Sequence, residues 1–70
     1  MTDGASCVLL ARRSVAKQIG CKIYGRIVSF ATAGVPPRIM GIGPAFAVPA
    51  ALEKCGLGIK DIDIFEINEA

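Results

Sequence analysis

The chain has 70 residues, of which 53% are apolar and only 20% charged, with a formal net charge of +2. It contains no histidine, which excludes a zinc site built from cysteine and histidine and any cysteine–histidine catalytic pair within these residues. Its three cysteines, Cys7, Cys21 and Cys55, have no paired spacing and an odd count, so they are expected as buried free thiols of a reducing compartment rather than a disulfide framework.

Met1 is followed at once by Thr2-Asp3-Gly4, with no basic and apolar run of the signal-peptide kind. Asp3-Gly4 is a turn dipeptide. Ala5 to Ala11 is an apolar run of strand length, ended by Arg12-Arg13. Ser14 is placed to cap a short helix over Val15 to Ile19, and Gly20 fits the position that closes it. Lys22 to Ala31 has the β-branched and aromatic content of a strand, with Gly25 marking a bulge or a close approach. Thr32 to Gly43 is rich in glycine and proline and reads as a loop. A helix is expected over Pro44 to Cys55, with Pro44 in its first turn, Gly56 as its stop and Pro49 as an internal kink. Ile62 to Ile67 is a second parallel-strand candidate, and Asn68-Glu69-Ala70 has the character of a cap and first helical turn.

From Lys22 onward the order is strand, helix, strand. This predicts an α/β fold, with a strand and helix followed by a right-handed βαβ unit. A parallel sheet needs both faces covered, and this chain offers too few helices for that. The apolar share is also high for so short a chain, so further chain is expected to cover several of its faces. The alternative source of such hydropathy is a membrane span. The longest uncharged run, Ile39 to Leu52, is shorter than the roughly 20 residues needed and contains two prolines, so no span is expected. The basic residues Arg12, Arg13, Lys17, Lys22, Arg26 and Arg38 are spaced almost singly. They fit solvated faces better than a phosphate or nucleic-acid patch.

In open α/β sheets, ligands sit at the carboxyl ends of strands. Two segments occupy that edge. The first holds Met40-Gly41-Ile42-Gly43-Pro44, which is either a tight packed turn or a ligand-contacting helix start. Phe46 stands where a dinucleotide fingerprint needs its third glycine. The second is Asn68-Glu69. The Asn68 amide can cap the next helix, and it can also stabilise an oxyanion or orient a water.

Asp3-Gly4-Ala5, Met40-Gly41-Ile42-Gly43-Pro44 and Phe65-Glu66-Ile67-Asn68-Glu69-Ala70, in this order and at this spacing, resemble the thiolase family. The resemblance is to its degradative 3-ketoacyl-CoA branch, particularly of the eukaryotic peroxisomal type. It implies two similar α/β halves in an α-β-α-β-α layered fold. Residues 1–20 would end the N-terminal half, and residues 21–70 would begin the C-terminal half. It also implies acyl transfer, with 3-ketoacyl-CoA cleaved by CoA to acetyl-CoA and a shortened acyl-CoA. CoA and acyl-CoA are the substrates and no further cofactor is implied. A homo-oligomer is implied for the full-length protein, without nucleic acid or a membrane span. Location would be peroxisomal, with mitochondrion and cytoplasm left open.

Asn68 matches the asparagine of the family's Asn-Glu-Ala-Phe motif, which holds a water in an oxyanion hole. Met40 resembles a residue lining the acyl-thioester pocket. The nucleophilic cysteine, the activating histidine and the second catalytic cysteine have no matching motif among these residues. The chain is therefore expected to be an internal fragment that is inert alone. The competing readings are a CoA-binding or interaction module derived from a thiolase, and a related condensing or sterol-carrier-type thiolase.

Overall fold

Glycine ends both α-helices of the chain, and for the same geometric reason. The computed structural model describes residues 2–69. Helix α1 spans Arg13–Gln18 and helix α2 spans Gly43–Cys55. Gly20 and Gly56 have φ of 72° and 71°, in the left-handed region where a Cβ is costly. At α1, the Gly20 N–H donates to the Lys17 carbonyl and the Cys21 N–H to the Ala16 carbonyl. At α2, the Gly56 N–H donates to Glu53 and the Leu57 N–H to Leu52. Both are Schellman closures, which satisfy carbonyls that the helix end would otherwise orphan.

The start of α1 corrects the expected cap. Arg12 is extended, at φ −63° and ψ 142°, and makes no side-chain capping bond. The Ala16 N–H already donates to the Arg12 carbonyl at 2.9 Å, so the helix begins before Ser14 and takes that residue into its first turn. Helix α2 begins one residue earlier than expected, with Pro44 in its first turn, and it continues through Pro49. The preceding loop contains a 3₁₀ segment, Pro37–Ile42, broken at Ile39 by φ −125° and ψ 30°. A further 3₁₀ turn, Ile59–Asp61, is tied by the Gly58 N–H donating to Asp61 Oδ2 at 2.8 Å.

No β-strand is formed among the described residues. The three segments read as strands, 5–11, 22–31 and 62–67, carry no ladder hydrogen bonds, and the βαβ unit does not close. Parallel pairing has to be supported by cover on both sheet faces, and an isolated pair of strands is marginal in water. Asn68 and Glu69, expected as a cap and first turn, are non-helical. Ala70, the third residue of that expected turn, lies outside the described residues.

Packing explains the same result. Ala16, at 9% exposure, is the one residue buried among the apolar side chains described. The accessible surface is 6912 Å², whereas a folded monomer of this mass would expose about 4,200 Å². The radius of gyration is 15.6 Å, against about 11 Å for a compact domain of this length. Cys7 and Cys21 are exposed and Cys55 is half-buried, so the thiols are free but not buried as expected. Their missing cover is the cover missing from the whole chain.

Only α2 has a developed face. Pro44, Ala47, Val48, Ala51, Leu52 and Cys55 are half-buried, at the three- and four-residue spacing of one helical stripe. Ser29 and Ala31 are half-buried on the extended segment before the loop, two residues apart and therefore on one face of it. The Ser29 hydroxyl joins the two elements by donating to the Ala51 carbonyl at 2.8 Å.

Candidate functional site

The loop before α2 and the segment around Asn68 differ in how far this chain organises them. Met40 lies in the 3₁₀ segment and is 64% exposed. The Gly43 N–H donates to the Met40 carbonyl, and Pro44 has no N–H. Two of the donors that an anion would use at the start of α2 are therefore unavailable, which removes much of the case for a phosphate cradle there. The packed-turn reading fares no better. Gly41 and Gly43 have no positive φ, and a Cβ built on either meets nothing within 4 Å. The glycines leave open space on a face that the described residues do not fill.

Asn68 is exposed at the end of the second extended segment. It makes no side-chain hydrogen bond among the described residues. Both Asn68 and Met40 are thus exposed. An open groove of about 1410 Å³ lies elsewhere, between residues 7–11 and 21–27, and neither Met40 nor Asn68 lines it. Its walls are two of the unpaired extended segments together with Arg13 and Ala16 of α1 and the adjacent Ile19, so it is an open gap between these elements.

Besides the Ser29–Ala51 bond, the structure adds a second long-range contact that the sequence did not disclose. Lys54 Nζ donates to the Phe30 carbonyl at 3.2 Å and sits 5.4 Å from the centre of the Phe30 ring. Nothing in the one-dimensional pattern marks Lys54, because a lysine in the last turn of a helix is explained by the dipole alone.

The second half of the loop, α2 and the Asn68 segment together fall inside residues 21–70, which match the family described as thiolase, C-terminal domain. The chain belongs to the thiolase family. All 70 residues align with the peroxisomal 3-ketoacyl-CoA thiolase B of Rattus norvegicus at 64% identity, covering 16% of that protein. The peroxisomal 3-ketoacyl-CoA thiolase of Homo sapiens is 60% identical over the whole chain, again covering 16% of its length. That of Saccharomyces cerevisiae is 60% identical, with 17% covered. The chain therefore spans about one sixth of the length of the curated relatives it matches. No solved structure matches it. No helix among the described residues is long and apolar enough to cross a membrane.

Proposed function

We propose that this thiolase chain is a working part of a 3-ketoacyl-CoA thiolase of fatty-acid β-oxidation in peroxisomes, and that it contributes Asn68 and the Met40 loop to the active site. The observation that carries the reading is identity of 60–64% across all 70 residues to proteins bearing that name. The reaction breaks the bond between the α and β carbons of a 3-ketoacyl-CoA. The acyl group passes to the sulfur of CoA, the proton of that thiol ends on the α carbon, and acetyl-CoA is released. The Asn68 amide holds a water that hydrogen-bonds the thioester oxygen as negative charge gathers on it. Met40 lines the acyl-thioester pocket, and the unfilled space at Gly41 and Gly43 leaves room for substrate or for further chain.

Residues 1–20 close the N-terminal half of the layered fold and residues 21–70 open the C-terminal half. The Schellman turn at Gly20 supports a break there, as does the start of the family match at residue 21. Within the second half, 22–31, α2 and 62–67 form a βαβ unit once neighbouring strands and helices cover both faces. The exposed Ile23, Ile27, Ile64 and Ile67 support this, since burying such side chains under further cover is favourable. CoA and acyl-CoA are the small-molecule partners, no cofactor is required, and the complete protein is a homo-oligomer.

The nucleophilic cysteine and its histidine have no counterpart here, so the 70-residue chain alone is expected to leave acetoacetyl-CoA intact. A chimera in which this chain replaces the matching stretch of the rat thiolase is expected to cleave acetoacetyl-CoA when CoA is supplied. Release of acetyl-CoA measures it. A folded chimera without thiolysis would contradict the reading, and so would thiolysis by the isolated chain.

A further inference from the structure

We infer that Ser29 and Lys54 are positioning residues that clamp the base of the Met40 loop, an inference that rests on the thiolase reading above. Two side-chain hydrogen bonds join distant parts of the chain among the described residues. Ser29 Oγ donates to the Ala51 carbonyl across 22 residues, and Lys54 Nζ donates to the Phe30 carbonyl across 24. The remaining side-chain bonds described are local, within four residues. The long-range pair tie two consecutive residues of the extended segment to neighbouring turns of one helix.

Both bonds sit at the end of the extended segment, where the loop begins. Lys54 holds the Phe30 carbonyl, two residues before the loop. The stem of Lys54 also covers the Phe30 ring with its ammonium 5.4 Å from the ring centre. Ser29 points to α2 from the half-buried face it shares with Ala31.

Everything between the two anchor points is the loop and the start of α2. Met40 is carried in the 3₁₀ segment that runs directly into α2. A slip of the extended segment by one residue would move it about 3.3 Å along the helix. The loop is tethered to both elements and would move with them. The clamp fixes that register and lowers the entropy of the open loop. Neither residue needs to touch substrate. They act through the placement of Met40.

The test uses the chimera with the rat thiolase and acetoacetyl-CoA. The double variant Ser29→Ala/Lys54→Met removes both donors while keeping a stem over Phe30. It is expected to raise KM about tenfold at a temperature where the protein stays folded, with kcat changed less than about twofold. Lys54→Arg keeps a donor and is expected to keep the parent KM. An unchanged KM in the folded double variant overturns the inference, even if its melting temperature falls, because a merely structural pair would move only the latter. Should the double variant fail to fold, Ser29→Ala alone decides, with a KM raised about threefold supporting the clamp and an unchanged KM overturning it. A parent chimera without thiolysis overturns the thiolase reading and this inference together. An active parent with unaffected variants overturns the inference alone.

Discussion

Replacing Asn68 by alanine in the thiolase chimera is expected to lower kcat about 10²–10³-fold with little change in KM. The loss corresponds to about 3–4 kcal/mol of transition-state stabilisation, the scale of one oxyanion-hole donor. The amide matters because negative charge on the thioester oxygen grows only as the transition state is approached, so the ground-state complex gains little from it. Asn68→Asp separates chemistry from shape. It keeps the side-chain outline, but an ionised carboxylate cannot donate to the water that Asn68 holds, and it repels the developing charge. Its kcat is expected to fall at least as far as that of the alanine variant. Steady-state kinetics with acetoacetyl-CoA and CoA check both. If Asn68→Ala kept kcat within a few-fold, Asn68 would be no more than a helix cap.

The second large effect concerns α2. Pro49 stands inside the helix, where it lacks an N–H and leaves the Ala45 carbonyl without its usual donor. Proline in a helix interior costs about 3 kcal/mol relative to alanine. A helix of this length is marginal in water even without such a residue. A synthetic peptide covering Gly41 to Gly58 is therefore expected to show almost no helix by circular dichroism, and Pro49→Ala to raise its helix signal several-fold. That outcome places the stability of α2 in its packed stripe, from Pro44 to Cys55, rather than in its intrinsic propensity. Strong helix in the parent peptide would show that α2 needs no support from the rest of the protein.

Local signals were legible where one residue settles the geometry. Gly20 and Gly56 were placed as helix stops because only glycine enters the left-handed region at little cost, and both close their helices. Pro44 marked the first turn of α2 for a similarly local reason. Ser14 misled because a cap requires extended backbone at its own position, and Arg12 took that conformation first. The segments 22–31 and 62–67 have strand composition, yet ladder bonds belong to a pair and not to a segment. The high apolar share pointed to missing cover, but strand composition alone could not disclose that the segments stay unpaired among the described residues. The Asn68 and Met40 assignments came from resemblance to a family motif, and both residues are exposed in this chain. Ser29 and Lys54 carried no pattern at all, since a hydroxyl–carbonyl bond across 22 residues has no periodicity to betray it.

These 70 residues are expected to order as part of a larger thiolase and not by themselves. Amide hydrogen exchange tests this most directly, comparing the isolated chain with the same residues inside the chimera. Rapid exchange is expected over 22–31 and 62–67 in the isolated chain, where the backbone has no ladder partners among the described residues, with strong protection of both segments in the chimera. Protection of both segments in the isolated chain, or its absence in an active chimera, would contradict the account.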